Sequence, residues 1–310
     1  MEMLNKATIR RQERVPPIPA ECEARQQCRP ITMARAVLDG ETLRFGEAFG
    51  FESALDHGFF LLQVDRHVDF SAADIFAETF YRAPLPGGID YRSLSLDGDY
   101  QGYSDRPFDQ WENFYIEHNN WGKIPPAVAA IGESMADMGV AVLRAVLERL
   151  GIDSAHWNNV TGGLTGGGGH RMLAFNHFRS ERMMRGCKMH RDSGWVTVLR
   201  STEPGLLALI DDELRAINPE PGHVILNFGS SIEVLTGQMP RPVRANIHGV
   251  TRTERRASGL DRHSYAMFLD SDLAGMIYQM RDGVPEAVQS VAEFAVQEVQ
   301  RTYDDNDDVI

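Results

Sequence analysis

After residue 160 the chain consists of short apolar, β-branched segments that alternate with turn residues, and this pattern constrains the fold more than any other feature. The segments are RMLAFNHF, KMHRDSGWVTVLR, GLLALI, HVILNFG, PVRANIHGV and HSYAMFLD. Short strands at this spacing are typical of an all-β sandwich or barrel. We therefore expect a β core in the C-terminal half of the chain.

The N-terminal half shows mainly helical patterns. Apolar residues at helical spacing predict a long helix over 125–150, a helix over 71–81 and one that starts at 43–49. An apolar strand is expected at 58–62. The segment 83–122 is rich in Gly, Asp, Tyr and Trp without a sustained period, which predicts a long irregular excursion.

Composition bounds the functional class. Hydrophobic residues make up 43% and charged residues 24% of the 310, which is ordinary globular usage. The formal net charge of -13 argues against a general binder of nucleic acid or anionic membranes, because such a field repels phosphate. We expect no membrane span and no secretory signal, since no apolar run reaches the necessary length.

Three scattered cysteines, Cys22, Cys28 and Cys187, are too few for a disulfide framework. A reduced compartment is therefore expected, and the predicted location is cytoplasmic. The oligomeric state is not readable from the sequence.

The most informative motif is a His-x-Asp in the predicted β region. On a strand, residues i and i+2 point to the same face, so His190 and Asp192 place an imidazole beside a carboxylate. His248, on a later predicted strand, offers a second imidazole. Two histidines and one carboxylate with open positions are the arrangement associated with non-heme Fe(II) oxygenases.

A second motif follows fourteen residues after His248. Arg262 and Ser264 share a strand face, where a guanidinium fork and a hydroxyl can hold a carboxylate through charge-assisted hydrogen bonds. This pair could anchor the far carboxylate of a dicarboxylic acid whose other end chelates the metal.

Each motif also has an alternative interpretation that needs no oxygenase site. An isolated His-x-Asp is most often a surface coincidence or a structural hydrogen bond, and the same ligand set also binds zinc. By itself, Arg262 is more simply a solvated charge at a strand edge.

The order and spacing of these motifs resemble those of the iron/2-oxoglutarate-dependent oxygenases. The resemblance is carried by HRDSGWVTVL from His190, EPGLLALI, PGHVILNFGSSIEVLTGQ from Pro221, and then His248 and Arg262-x-Ser264. More specifically, it is similar to the isopenicillin N synthase-like branch, which includes deacetoxycephalosporin C synthase and plant 2-oxoglutarate dioxygenases. A weaker N-terminal match is His-Gly-Phe-Phe at 57–60.

The resemblance implies a mainly β fold with flanking helices around a double-stranded β-helix, or jelly-roll, core. It implies three Fe(II) ligands and three residues that contact 2-oxoglutarate, with O2 as the oxidant. These are His190, Asp192 and His248 for the metal, and Arg262, Ser264 and Asn176 for the cosubstrate.

With this resemblance, four regions are expected within one catalytic unit. They are an N-terminal arm (1–40), a helical region with a leading strand (41–160), the jelly-roll catalytic core (161–270), and a C-terminal helix with an acidic tail (271–310).

Four residues are candidates for a substrate pocket. Phe178 stands where the family usually has a tyrosine that touches the cosubstrate, and Arg179 belongs to a basic run ahead of His190. Trp195 and Tyr103 are aromatic, as pocket walls often are. Core packing, or a solvated face for Arg179, is the alternative for these side chains.

The implied activity is oxidation of a small molecule by hydroxylation, desaturation or ring modification, with release of succinate and CO2, in bacterial secondary metabolism. The expected partner is this small-molecule substrate, without nucleic acid or membrane. Three alternatives remain open: a 2-oxoglutarate-independent iron oxidase of the isopenicillin N synthase type, a non-catalytic jelly-roll binding protein, and a zinc hydrolase.

Overall fold

The fold was analysed in a computed structural model that describes residues 13–256 and 259–303. The strands are β1 (Arg35–Asp39), β2 (Thr42–Phe45), β3 (Phe59–Gln63), β4 (Gly102–Asp105), β5 (Trp111–Glu117), β6 (His170–Phe178), β7 (Cys187–His190), β8 (Val196–Ser201), β9 (Leu206–Ile210), β10 (Glu213–Ile217), β11 (His223–Phe228), β12 (His248–Val250), β13 (Arg262–Asp270), β14 (Met276–Arg281) and β15 (Val284–Ser290). The helices are α1 (Glu21–Gln27), α2 (Gly50–His57), α3 (Ser71–Ala77), α4 (Pro126–Arg149), α5 (Ser154–Val160), α6 (Ser230–Thr236) and α7 (Val291–Tyr303).

The strands form two main sheets. The large sheet has the order β2-β1-β3-β11-β8-β13-β6-β5-β4, and the small sheet has the order β10-β9-β12-β7. Neighbours are antiparallel except for β1 and β3, which run parallel. Apolar side chains from both sheets meet in one buried cluster, with Leu199, Ile225 and Ala266 from the large sheet and Leu206 and Ala208 from the small one. This jelly-roll core with flanking helices confirms the predicted fold class.

Helices cover the other face of the large sheet. Helix α4 packs against β8 and β13, and Val142 and Val146 are buried in the resulting core. The approach is close at Gly139, where a Cβ would lie 2.4 Å from the Leu269 Cδ1 and 3.0 Å from a Val198 methyl. A larger residue at this position would require the Leu269 side chain to shift, so Gly139 favours the close packing of helix and sheet.

Helix α4 is also long and apolar enough to cross a membrane by length and composition, although no such run is expected from the sequence. Its apolar face, including Val128 and Met135, is buried in the protein core rather than unpartnered. Its hydropathy is therefore that of a core helix.

Of the four elements predicted in the N-terminal half, three are present and one is wrong. The helix expected over 71–81 is α3, which ends earlier, at Ala77. The strand expected at 58–62 is β3, and the long helix expected at 125–150 is α4. The segment 42–45 forms strand β2 instead of beginning a helix, and the helix starts only at Gly50. Leu43 and Phe45 have a spacing that also fits strand alternation, and pairing with β1 decides between the two.

The segment 83–122 is not irregular throughout. It contains β4 and β5, and β5 joins the large sheet through β6. Strand β5 is buried on both faces in most of its length, so its sequence lacks the alternation that marks a half-exposed strand.

The segment after residue 270 is a hairpin before it is a helix. Strands β14 and β15 pair through a turn at Asp282 and Gly283, which have φ values of 49° and 81°. Asp-Gly favours such a two-residue turn because both positions need positive φ. Helix α7 follows from Val291, and the acidic tail after 303 lies outside the described residues.

The first described part of the predicted N-terminal arm, from residue 13, lies on the outer face of the small sheet, whereas its last residues form β1 (Arg35–Asp39) within the large sheet and are not a surface arm. Val15 packs with Met189, Leu209 and Ile247, and Ala20 forms a bridge with Arg252. The first twelve residues of the predicted arm lie outside the described residues.

Candidate metal centre

Two paired strands of the small sheet bring the candidate histidines together. His190 is the last residue of β7, His248 is the first residue of β12, and the two are direct cross-strand partners. Their ring centroids are 4.5 Å apart. The sheet therefore fixes the distance between two side chains that are 58 positions apart in the sequence.

Asp192 completes the cluster from the loop after β7. Its Oδ1 lies 3.7 Å from the Nε2 of His190 and 3.7 Å from the Nε2 of His248. One ligand atom from each of the three residues lies within 4.8 Å of the others. The structure brings the three side chains together, although Asp192 lies beyond the end of β7 and not on the strand itself as the spacing predicts.

The histidines are oriented by backbone carbonyls. The Nδ1 of His190 lies 2.8 Å from the carbonyl of Lys188, and the Nδ1 of His248 lies 3.2 Å from that of Asn246. A carbonyl only accepts, so each Nδ1 carries the proton and each Nε2 is left with a free electron pair. Burial first and then the neighbouring His248 lower the pKa of His190 to about 4, which keeps it neutral.

The carboxylate is oriented by a strand residue. Thr197 on β8 donates its hydroxyl to the Asp192 Oδ2 at 2.7 Å, which leaves Oδ1 for the side of the histidines. Two imidazoles and one carboxylate oxygen that converge on one point suit Fe(II) with open positions, and also Zn²⁺.

Arg262 is buried without a carboxylate partner among the described residues, although it is a full charge. Its side chain is 1% exposed, and its guanidinium carbon lies 4.6 Å from the centre of the Phe178 ring. Nε donates to the Pro204 carbonyl at 3.1 Å and Nη2 to the Ser201 hydroxyl at 3.2 Å. Burial lowers the pKa of Arg262 to about 10.

The remaining nitrogen of this guanidinium identifies what the site needs. Nη1 of Arg262 is buried and has no hydrogen-bond partner in the described part of the chain. A buried charge with an unmet donor is costly unless an anion binds it. A ligand carboxylate meets that need, so the residues present fit the far end of a dicarboxylic acid.

Ser264 and Asn176 lie on the same sheet face as Arg262. Ser264 is two residues after Arg262 on β13, and it is the cross-strand partner of Asn176 on β6 and of Ser201 on β8. The Oδ1 of Asn176 accepts a hydrogen bond from the Trp111 indole at 2.7 Å. The predicted cosubstrate residues therefore form one polar row next to Arg262.

Of the four candidates for the substrate pocket, one lies on this face. Phe178 pairs with Arg262 across β6 and β13 and packs in the cluster between the two sheets. Arg179 is the next residue, so its side chain points to the opposite face, where it binds Asp105 at 2.7 Å and Glu112 at 3.3 Å. It is engaged in the fold and not presented to the metal side.

Trp195 and Tyr103 also lie away from the metal. Trp195 is buried in the core between the large sheet and its helices, and its indole donates to Ser271 at 2.9 Å. The hydroxyl of Tyr103 donates to Glu112 and accepts from Arg92 at 2.8 Å. For both aromatics, packing is the role that the contacts support.

A cavity of about 260 Å³ lies elsewhere, between α3 and the ends of β3 and β8. Its lining includes Phe70, Asp74 and Arg200, and the last two form an ion pair at 3.1 Å. These side chains are on the helix-covered face of the large sheet. This cavity is therefore not the candidate site. The site is located by the three converging metal ligands and by the Arg262 donor that has no partner among the described residues.

Three further residues orient the site. Thr197 bonds to Asp192, Ser201 to Arg262, and Trp111 to Asn176, and the Trp111 ring lies near-parallel to that of His190 at 6.4 Å. Thr197 and Ser201 are not singled out from the sequence. Thr197 and Ser201 occupy alternate positions of β8 on the face toward the metal, so strand parity combined with sheet order would have found them.

Comparison with known proteins agrees with this geometry. Residues 169–271 match the family model of the 2OG-Fe(II) oxygenase superfamily. Jasmonate-induced oxygenase 2 of Arabidopsis thaliana is 22% identical over 220 residues, which are 64% of this chain and 57% of that protein. The match thus spans little more than half the length of this relative.

Solved structures of the same fold cover most of the chain. JOX2 in complex with 2OG, Fe, and JA has a TM-score of 0.65 at 18% identity, covering 92% of this chain and 88% of that one. A full-length Neurospora crassa protein in complex with alpha-KG and 5-formyluracil has a TM-score of 0.62 at 17% identity, covering 82% and 88%. At these identities the likeness establishes the fold. With the family match, the jelly-roll core and the His-Asp-His cluster, residues 169–271 form a domain of the 2OG-Fe(II) oxygenase superfamily.

Proposed function

We propose that this protein is an Fe(II)- and 2-oxoglutarate-dependent dioxygenase that oxidises a small organic molecule. The observation that carries the proposal is the buried Arg262, whose Nη1 lacks a partner among the described residues. It lies in the same jelly-roll interior as the cluster of His190, Asp192 and His248. A metal cluster alone suits several chemistries, whereas a metal cluster plus an unmet guanidinium suits a chelating dicarboxylate.

In this proposal the three clustered side chains hold the metal. Arg262 and Ser264 bind the far carboxylate of 2-oxoglutarate, and Asn176 contributes a polar contact beside them. When bound, iron and 2-oxoglutarate supply the oxidising power for C–H oxidation by O2, and succinate and CO2 are released. The protein contributes orientation, electrostatics and the exclusion of water.

The apolar neighbours of this site serve the last of these tasks. Phe178 lies under the Arg262 guanidinium, and Trp111 lies beside His190. Both are buried, so the charges of the site act in surroundings with little water and are correspondingly strong.

For the substrate we propose a small secondary metabolite, oxidised by hydroxylation, desaturation or ring modification. The resemblance to the isopenicillin N synthase-like branch and the 5-formyluracil bound by the Neurospora crassa protein support a small molecule. The net charge of -13 disfavours nucleic acid as the substrate. We place this activity in the bacterial cytoplasm, which accords with the free cysteines Cys22, Cys28 and Cys187.

The proposal treats the described chain as one catalytic unit. Strands β1 to β5 continue the same sheet as β6, β8, β11 and β13, and β5 supplies Trp111 to the site. This continuity supports the proposal of one catalytic unit that includes the N-terminal strands.

The test is a panel of candidate substrates incubated with protein, Fe(II), 2-oxoglutarate and O2. We expect succinate formation that one substrate class stimulates, together with a product that gains oxygen or loses two hydrogens by mass. An anaerobic titration of Fe(II) protein with 2-oxoglutarate should also give a weak visible charge-transfer band.

Other outcomes separate the alternatives. Substrate oxidation without succinate would indicate an oxidase of the isopenicillin N synthase type. Activity that is independent of O2 and retained with Zn²⁺ would indicate a hydrolase. Binding of a ligand without any turnover would indicate a non-catalytic jelly-roll protein.

A further inference from the structure

We propose that His177 is a positioning residue for the cosubstrate: its imidazole clamps β5, β6 and the start of β13 on the sheet face behind Arg262. This inference rests on the proposed function, because it concerns the binding of 2-oxoglutarate. It does not place His177 in contact with any ligand.

The clamp is a histidine between two carboxylates. The Nδ1 of His177 lies 2.8 Å from the Glu112 Oε1, and its Nε2 lies 3.2 Å from the Asp261 Oδ2. The ring also stacks on Tyr81, with centroids 3.5 Å apart and planes 8° from parallel. His177 is 4% exposed, so all of these contacts are shielded from water.

Each edge of the ring faces a carboxylate oxygen at hydrogen-bond distance, so one imidazole ties two acidic side chains from different segments of the chain together. Burial raises the pKa of Glu112, but hydrogen bonds from His177 and Tyr103 and the charge of Arg179 outweigh it and hold that pKa below its usual value. Glu112 is therefore held as an ionised acceptor at this end of the clamp.

One arm of the clamp fixes the start of the strand that carries Arg262. Arg262 is the first residue of β13, so no earlier position of this strand is held by the sheet ladder. Asp261 immediately precedes it and is bound by His177 and by the Ser180 hydroxyl. Without His177, Asp261 keeps only one of these two contacts, and the position of the Arg262 backbone is less well defined.

The other arm fixes the polar row beside Arg262. His177 lies between Asn176 and Phe178, and Glu112 directly follows Trp111, the indole donor to Asn176. Because successive strand residues point to opposite faces, the clamp lies behind these side chains and not among them. It therefore acts on cosubstrate binding through the alignment of three strands.

The test is the affinity for 2-oxoglutarate, measured anaerobically by the charge-transfer band of Fe(II) protein and by calorimetry on Mn(II) protein. We expect His177→Leu to raise the Kd for 2-oxoglutarate about 10-fold, the scale seen when residues that orient a site are removed. His177→Gln, which retains one donor, should give a smaller rise. Mn(II) affinity should stay within about 2-fold in both, since the metal cluster lies on the other sheet.

His170→Gln is the matched control. His170 also bonds to a glutamate, Glu117, across β5 and β6, but at the far end of the two strands. It should leave the Kd for 2-oxoglutarate unchanged, whereas an equal rise would mean that any loss of a β5–β6 ion pair has this effect.

Asp261→Asn provides a second variant in case the His177 variants fold poorly. It weakens the clamp at the Arg262 side with little change in shape, and it should raise the same Kd. Wild-type affinity for 2-oxoglutarate in His177→Leu and Asp261→Asn would overturn the inference about the clamp. Failure of the unmodified Fe(II) protein to bind 2-oxoglutarate would instead overturn the proposed function.

Discussion

His190 and His248 are direct cross-strand neighbours, and each directs its Nε2 to within 3.7 Å of the same oxygen of Asp192. The metal cluster is thus fixed by one antiparallel strand pair and the loop that follows it. Because each Nδ1 donates to a backbone carbonyl, the ring orientations are set before any metal arrives.

Replacing His190 by alanine should abolish specific metal binding. One imidazole of the cluster is lost, and Asp192 and His248 remain as an incomplete pair. We expect Mn(II) affinity, measured by electron paramagnetic resonance, to fall by more than about 100-fold, beyond the effect of residues that only orient ligands. His67 is exposed and lies outside the cluster, so the His67→Ala variant should retain full affinity for Mn(II).

Thr197→Val should weaken metal binding without abolishing it. The substitution preserves shape but removes the donor to the Asp192 Oδ2, so this carboxylate is less firmly oriented. We expect Mn(II) affinity to fall about 10-fold. Thr42→Val, at an exposed position of β2, is the control. An unchanged affinity in Thr197→Val would contradict the orienting role.

Arg262→Met should separate cosubstrate binding from folding. Loss of the guanidinium should lower 2-oxoglutarate affinity by about 100-fold, given the usual strength of hydrogen bonds to charged groups. Mn(II) affinity should be unchanged. The Tm of the ligand-free protein should stay the same or rise, because a buried charge without a carboxylate partner among the described residues is replaced by an apolar chain.

The same variant should lose ligand-induced stabilisation. Saturating 2-oxoglutarate raises the Tm of the wild-type metal-loaded protein if it binds the folded state only. Arg262→Met should show little of that rise. A full rise in the variant would mean that Arg262 does not hold the cosubstrate.

Asp270 should make the metal-free protein less stable as the pH rises. Burial raises the pKa of Asp270 from its usual 3.8 to about 6, so the folded protein holds this proton more tightly than the unfolded chain. The contribution of Asp270 to the free energy of unfolding is therefore fully present below about pH 4 and is lost as the pH rises through 6. The loss amounts to about 3 kcal/mol.

Asp270→Asn checks this sign. The variant should be more stable than wild type at pH 7.5 and similar at pH 4, as measured by urea unfolding of metal-free protein. Asp137→Asn, at an exposed position of α4, should leave the difference between the two pH values unchanged. A variant that is less stable at pH 7.5 would show that the Ser193 hydrogen bond to Asp270 outweighs burial.

The sequence predicts the centre of this protein better than its periphery. His190 and Asp192 are two residues apart, a spacing that keeps the two side chains close even though β7 ends at His190 and Asp192 lies in the following loop. Arg262 and Ser264 are likewise two residues apart, and both lie within β13. Helix α4 is also predicted correctly, because apolar residues recur at helical spacing over its 24 residues.

The substrate-pocket candidates show where sequence reasoning stops. Arg179 is three residues from Asn176, an odd separation that turns its side chain to the opposite face of β6. Tyr103 and Trp195 are engaged by partners distant in the chain, Glu112 and Ser271. Such contacts depend on sheet order, which spacing within one segment does not encode.

Two secondary-structure errors have local causes. Strand β5 is buried on both faces and carries no alternating pattern. The β14–β15 hairpin does carry a signal, since Asp282-Gly283 is a strong turn dipeptide between two strands. The helical pattern of α7, which begins at Val291, dominates this region of the sequence, so the whole region is predicted as a helix.

The position of β3 in the large sheet has a consequence for biosynthesis. β3 lies between β1 and β11, yet β11 begins at His223, some 160 residues after β3 ends at Gln63. At ribosomal speeds of about 5–20 residues per second, the apolar Phe60 and Leu62 wait on the order of ten to thirty seconds for that neighbour. The nascent N-terminal segment is therefore a natural client for chaperones that bind emerging chains.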